Sequence, residues 1–497
     1  MFLTGKNFNI DGEKKENSIE RGSSILAAKA GFWYVCGNFV GKAITFITTP
    51  IFARLMTPSD YGEFSNFASW AAMLMLIVGA ELFNTLSRAY YDFKDTFDEY
   101  ISSVTILGVF ITVTMYSAFL LCRGFVFKVV TIPEQYVHLL FVFLLFSVCR
   151  LVYFARERTL YKYKTVAVVT FITLFVPTLI SVLLVYFLPE SGQLSARLYG
   201  YYGPSAVIGL YCAIALFRKG ISFKWHYCRY ALVLALPLLV QYLTTYLLNS
   251  TNVMIAKNIS GTEAAAVISI TYSATHILVV FFHATSGALT TWVMDNLELR
   301  KDKTIRKGTF FYVLLLVPII IGIILFTPEV IQILGGKKYI ASVSLLPGLV
   351  YGAFVQAVTT IFTIILTYDK NVVKTAAITG LFAILSIAAK VFLLPDYGLL
   401  VLVYVNIAVF LSLFFINYVL VKRAGYANAI FLKGIVAVIA LIGFLVALSP
   451  LLYQQQSLRY VVIGIFLAGC IIVVGLNKRR IKEIVGRMRR KRTVKNH

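Results

Sequence analysis

About fourteen stretches of this chain are apolar and long enough to cross a lipid bilayer, and almost no charge lies inside them. Runs of roughly 20 apolar residues match the hydrocarbon thickness. They fall near 25–52, 63–88, 101–122, 133–152, 165–188, 197–217, 230–252, 263–292, 309–330, 342–367, 372–394, 399–420, 431–452 and 459–477. A backbone immersed in hydrocarbon satisfies its polar groups only as helix or closed barrel, and spans of this length are helical. The expected fold is therefore an all-α integral membrane protein. Lys42 and Glu81 are the clearest charges within the spans, joined by Lys29 and Lys390. A charge at the centre of a spanning helix costs roughly 2.5–3.5 kcal/mol on insertion scales, so it marks a transport path or an ion pair.

Composition excludes other classes. Hydrophobic residues make up 59% of the 497 and charged residues 14%, with a mean hydropathy of +0.82. Soluble domains sit near ~45–50% and ~25%. The polar first 24 residues lack an apolar core followed by a small-residue cleavage site, so the first span is expected to act as the insertion signal. Cys36, Cys122, Cys149, Cys212, Cys228 and Cys470 are scattered without CxxC spacing and read as small buried hydrophobes. No metal-ligand pair forms among the five histidines, and no GxxxxGK[ST] motif is present. We expect no cofactor and no metal, leaving a coupling proton or sodium ion open.

The net charge of +24 follows membrane topology better than nucleic-acid binding. With the N-terminus in the cytosol, the tails, even-to-odd loops and adjoining span ends hold 35 Lys and Arg. The opposite side holds 8: Arg54, Arg123, Lys128, Arg197, Lys257, Lys337, Lys338 and Arg459. Without the 10 bases of the C-terminal tail the ratio remains 25 to 8. Both termini are expected in the cytosol. The basic tail suits anionic lipid. External loops of about a dozen residues leave no room there for a catalytic domain.

An internal repeat runs through the chain. Phe52–Asp60 aligns with Ile255–Glu263 at an offset of 203, matching the apolar pair, the base, the hydroxyls and the acid in order. An even number of spans between the copies gives them the same orientation, the layout of lobes related by an axis along the membrane normal. The expected organisation is a cytosolic tail (1–24), an N-lobe of six spans (25–217), a C-lobe of six (230–420), two appended spans (431–477) and a basic tail (478–497).

Polar stripes mark the candidate site. Asn38, Lys42, Thr45 and Thr49 share one face of span 1, and Gln241, Thr245, Asn249 and Asn252 recur similarly on span 7. Span 2 carries Glu81, Asn84, Thr85 and Arg88. These faces are expected to line a central cavity, with Lys42 and Arg88 attracting an anion; the plainer reading is polar glue between helices. Glu81 either neutralises a base, Lys29 or Arg88 being the nearest in height, or carries an ion. Lys390 either joins the cavity or snorkels to the outer surface.

The segment Thr49-Pro50-Ile51-Phe52-Ala53-Arg54-Leu55-Met56-Thr57-Pro58-Ser59-Asp60-Tyr61-Gly62-Glu63-Phe64-Ser65 closely resembles a signature of Wzx-type bacterial polysaccharide flippases. These belong to the multidrug/oligosaccharidyl-lipid/polysaccharide exporter superfamily. Asn84 to Tyr91 is similar to their end of span 2, and Pro237 to Asn249 to the start of their span 7. The family often has an Asp-Arg pair where this chain has Asn252-Val253, so no charge role carries over there. The resemblance implies a non-enzymatic, alternating-access flippase in the bacterial inner membrane. It would move undecaprenyl-diphosphate-linked oligosaccharide for O-antigen, capsule or exopolysaccharide. Membrane lipids and other polysaccharide-assembly membrane proteins would be its partners. Lys42 and Arg88 would hold the diphosphate, and a groove by the last two spans the polyprenyl tail. Pro50, Arg54, Pro58, Tyr61 and Gly62 would be architectural, Arg54 anchoring a helix end and Gly62 permitting a tight turn. The rival readings are a multidrug-and-toxin-type cation antiporter, a peptidoglycan lipid-precursor flippase and a lipid-dependent glycosyltransferase or polymerase.

The charge asymmetry predicts that cysteines replacing Ser191 and Asp396 react with impermeant reagent applied to intact cells, while one replacing Lys303 is protected. Labelling at 303 from outside would reverse the topology.

Overall fold

The computed structural model describes residues 41, 44 and 46–476, apart from 219 and 370. No β-strand occurs among these residues. Helix α1 covers Phe46–Leu55. It is followed by α2 (Pro58–Gly79), a 3-10 turn (Leu82–Thr85), α3 (Leu86–Asp92), α4 (Phe97–Leu121), α5 (Arg123–Val129), a second 3-10 turn (Glu134–Tyr136) and α6 (Val137–Thr159). The chain continues as α7 (Tyr163–Phe187), α8 (Gln193–Phe217), α9 (Trp225–Ser250), α10 (Asn252–Ser260) and α11 (Thr262–Glu298). Then come α12 (Asp302–Leu325), α13 (Thr327–Leu334), a 3-10 turn at Lys337–Tyr339, α14 (Ser342–Tyr368), α15 (Val372–Tyr397), α16 (Leu400–Arg423), α17 (Leu432–Gln454) and α18 (Gln456–Leu476).

Eleven of the described helices are long and apolar enough to span a membrane, and the bent pair formed by α2 with Leu82–Asp92 makes twelve. The shorter apolar helices at Phe46–Leu55 and Gln456–Gly469 stand where the first and last of the fourteen expected spans run into residues outside the description. This is a multi-pass membrane protein. The expected continuous span at 63–88 is instead bent by 45°. Ala80 (φ 41) and Glu81 (φ 55) both adopt the left-handed conformation, so the α-helical ladder ends at Gly79 and restarts after a 3-10 turn. Neither residue is glycine or proline, which is why the sequence carries no sign of the break.

The repeat is visible in the order of elements. The helix order α4, α5, 3-10 turn, α6, α7, α8 recurs as α12, α13, 3-10 turn, α14, α15, α16, apart from an extra 3-10 turn (Glu190–Gly192) before α8, and α17 and α18 follow it. Its two 3-10 turns, Glu134–Tyr136 and Lys337–Tyr339, keep the 203-residue offset.

The chain packs as two compact units. The first comprises residues up to 273 with 333–339 and 376–405, and the second 274–332, 340–375 and 406 onward. In the first, Leu82, Leu86, Tyr100, Val152, Cys212 and Ala231 form one apolar core, and Phe67, Trp70, Leu140, Leu144, Leu198 and Tyr202 another. In the second, Leu325, Leu452 and Ile463 pack together, Tyr453 donates to the Ile324 carbonyl at 2.6 Å, and Arg459 is clamped to Glu329 at 2.6 Å.

The start of α2 obeys ordinary capping rules. Thr57 accepts a hydrogen bond from the Asp60 N–H at 3.1 Å, and Pro58 occupies the first turn, where its missing N–H costs nothing. Gly62 is helical and makes no tight turn, contrary to expectation. A Cβ there would stand 1.8 Å from the Thr262 carbonyl oxygen, so the glycine permits close helix approach. Positive φ at this end falls instead on Gly261 (φ 90), between α10 and α11, and on Gly336 (φ 71), after α13.

Gly62→Ala is therefore expected to force α2 away from Thr262 and cost roughly 1–3 kcal/mol. Thermal unfolding in detergent should register the loss, while Gly203→Ala, with nothing within 4 Å of the added methyl, should unfold like wild type.

Candidate functional site

The polar face of α9 is open along most of its length. Gln241 and Thr245 are exposed and Asn249 is half-buried. The Thr245 hydroxyl donates to the Gln241 carbonyl at 2.9 Å and the Asn249 amide to the Thr245 carbonyl at 3.0 Å. These i to i−4 bonds fold the side chains along the helix, while the Gln241 amide and the Asn249 carbonyl oxygen remain to meet a ligand. Asn252 departs from this row: it is 0% exposed and its amide donates to the Tyr272 hydroxyl. It lies just past the end of α9, where α11 packs Tyr272 against it.

The span 2 residues divide into two groups. Glu81 is 4% exposed at the helix break, with the Asn84 amide donating to its Oε2 at 2.5 Å. Thr85 is engaged by the Leu82 carbonyl and the Tyr100 hydroxyl, both at 2.6 Å. Arg88 belongs elsewhere: it is exposed and pairs with Asp92 at 3.5 Å, and Asp92 also accepts from the Tyr230 hydroxyl. Among the described residues no base pairs with Glu81, and Arg88 does not neutralise it.

Of the span 1 stripe, Asn38, Lys42 and Thr45 lie outside the described residues. Thr49 is buried beside the Tyr61 hydroxyl, which Ser269 and Ser273 also approach. Lys390 is 0% exposed on α15, so it does not snorkel to the surface.

The signature residues cluster where α1 hands over to α2. Arg54 donates to the Pro50 carbonyl at 3.0 Å and to the Ile333 carbonyl at 2.8 Å, tying its own helix end to α13. Tyr61 meets Tyr339 edge-on at 6.0 Å between ring centres. Sequence reasoning missed three features here. The Arg197 guanidinium lies 3.0 Å from the centre of the Phe52 ring and 4.3 Å from that of Phe64. Glu63 and Lys257 form an ion pair at 2.5 Å, and Lys257 also donates to the Thr131 carbonyl. Ser59 and Thr262 share a hydrogen bond at 2.8 Å across 203 residues. The last was within reach of the sequence: the repeat alignment sets Ser59 over Thr262, and equivalent residues touch only close to a twofold axis.

The described residues contain no group of three or more His, Cys, Asp or Glu side chains able to hold a metal ion. Amides and hydroxyls spaced along an otherwise apolar helix offer hydrogen bonds to a hydroxyl-rich molecule.

Residues 27–292 match the family model described as "Polysaccharide biosynthesis protein". No curated protein matches the chain by sequence. Among solved structures, the fold is similar to the lipid II flippase MurJ in an inward closed conformation, with a TM-score of 0.62 at 12% identity over 86% of this chain and 99% of that one. It is also similar to the inward-facing conformation of a multidrug resistance MATE family transporter of the MOP superfamily, with a TM-score of 0.52 at 15% identity over 80% of this chain and 95% of that one.

Because Glu81 meets an amide rather than a base, Glu81→Gln is expected to leave stability within about 1 kcal/mol of wild type. Thermal unfolding and membrane abundance check this. A loss of about 3–5 kcal/mol would instead reveal a base stranded by the change.

Proposed function

The chain belongs to the polysaccharide biosynthesis protein family, and from that premise we propose that it flips undecaprenyl-diphosphate-linked oligosaccharide across the bacterial inner membrane. Transport is by alternating access, both termini face the cytosol, and no covalent chemistry is performed. The observation that carries this reading is the open row Gln241, Thr245 and Asn249 on α9. Such a row costs free energy against lipid, and a sugar chain with many hydroxyls is the ligand that repays it. The diphosphate calls for cations, and Lys42 and Arg88 supply them as charge-assisted donors. Arg88 is suited to exchange partners, because its ion pair with Asp92 is exposed and worth little on its own. Asp92 and Tyr230 then hold it at the mouth of the path between turnovers.

A cation antiporter on the same fold needs acids facing the path. Glu81, the acid deepest in the spans, is buried and bound by the Asn84 amide.

Purified protein in proteoliposomes should flip a fluorescent undecaprenyl-diphosphate oligosaccharide. Lys42→Ala and Arg88→Ala should each lower that rate, and surface glycan in cells, by about tenfold or more at normal protein level, with Lys42→Arg milder. Each such step corresponds to about 1.4 kcal/mol. Normal transport by Lys42→Ala would remove it from the site.

A further inference from the structure

Two arginines lie inside the first unit with no described carboxylate beside them. Arg150 projects from α6 and Arg197 from α8, helices that pack side by side. The ionisable groups facing Arg150 are Tyr201 and Cys212, and those facing Arg197 are Tyr61, Tyr201 and Tyr202. Among the described residues none of these is an acid, although a guanidinium stays charged in any protein setting. Hydrogen bonding is just as incomplete. Arg150 reaches Ser147 at 3.4 Å and Arg197 reaches Ser181 at 3.1 Å. The Nε–H of each is enclosed and meets no acceptor among the described residues. The Phe52 and Phe64 rings hold Arg197 in place, but a ring carries no net charge, so the cation stays uncompensated.

Both arginines act on one group, the hydroxyl of Tyr201, one turn past Arg197 on α8. Two like charges brought to one point repel, and an anion placed there relieves both. Arg150, Arg197 and Tyr201 are each half-buried. In a spanning helix the open part of a side chain faces lipid or a polar path, and a guanidinium fits only the path. No carboxylate has to leave before an anion enters, unlike Arg88 with its Asp92. The surroundings suit a sugar. Tyr201 meets Phe64 edge-on at 6.4 Å and Tyr202 at 5.2 Å between ring centres. Trp70, in the same apolar cluster, has an indole N–H with no acceptor among the described residues. Ring faces beside hydrogen-bond donors match the apolar faces and hydroxyls of a sugar, whereas a prenyl tail keeps the diphosphate beside lipid. We propose that Arg150, Tyr201 and Arg197 bind an acidic group on a sugar of the transported glycan, which makes the protein selective for an acidic lipid-linked oligosaccharide. This rests on the lipid-linked oligosaccharide reading above.

Selectivity is measured in proteoliposomes with two undecaprenyl-diphosphate oligosaccharides that differ in one sugar, glucuronic acid replacing glucose. The wild type should flip the acidic one at least about tenfold faster, and Arg150→Gln should bring the two rates together. Equal rates in the wild type overturn the proposal by themselves, whether or not the variant folds, and so does an undiminished preference in Arg150→Gln. Binding is measured by calorimetry on the purified full chain. Trigalacturonate should bind more tightly than the neutral maltotriose, and Arg150→Gln should weaken it about tenfold while pyrophosphate binds as before. A matching loss of pyrophosphate affinity would assign the arginines to the diphosphate and overturn the sugar. If the wild type flips neither lipid, the functional reading fails, while calorimetry still judges the arginines: trigalacturonate bound no better than maltotriose overturns their role.

Discussion

The first turn of α2 lies so close to Thr262 that no side chain fits between them, and much at this end of the protein depends on that approach. Gly62 makes room for the Thr262 carbonyl. The proximity brings Ser59 within hydrogen-bonding distance of its own repeat equivalent and sets Glu63 against Lys257. In a bilayer such contact matters more than it would in water, because lipid tails are as apolar as the helices they surround. Helix association there relies on van der Waals packing between small residues and on interhelical hydrogen bonds. Glycine supplies the first and the serine–threonine pair the second.

The same economy governs charge. Three bases on the side that the charge distribution assigns to the exterior are tied down away from solvent: Arg459 to Glu329, Lys257 to Glu63, and Arg197 against the Phe52 and Phe64 rings. Arg88, on the opposite side by the same assignment, is exposed and held by Asp92 and Tyr230. Groups that must release and rebind an anion are expected to look like Arg88, since a weak exposed pair exchanges partners at little cost.

The break in span 2 adds a joint. Two consecutive left-handed residues, neither of them glycine, cost on the order of 1–2 kcal/mol each. Such strain persists only where the surroundings enforce it. Here Leu82 and Leu86, fully buried in the core on the far side of the break, hold the bend in place.

Composition and period alone settle that this chain is a bundle of spanning helices, because the length of an apolar run is a direct measure of bilayer thickness. They also place the spans and expose the repeat, whose 203-residue offset reappears in the 3-10 turns and in the Ser59–Thr262 bond. The polar row on α9 was legible as far as Asn249, because within one helix the angle between residues is constant. It failed at Asn252, which Tyr272 of α11 covers. Glu63 with Lys257, Arg197 with Phe52 and Phe64, and the absence of any base on Glu81 among the described residues were decided by tertiary structure. Each joins residues from different helices, and periodicity within a helix carries no information about which neighbour its face will meet.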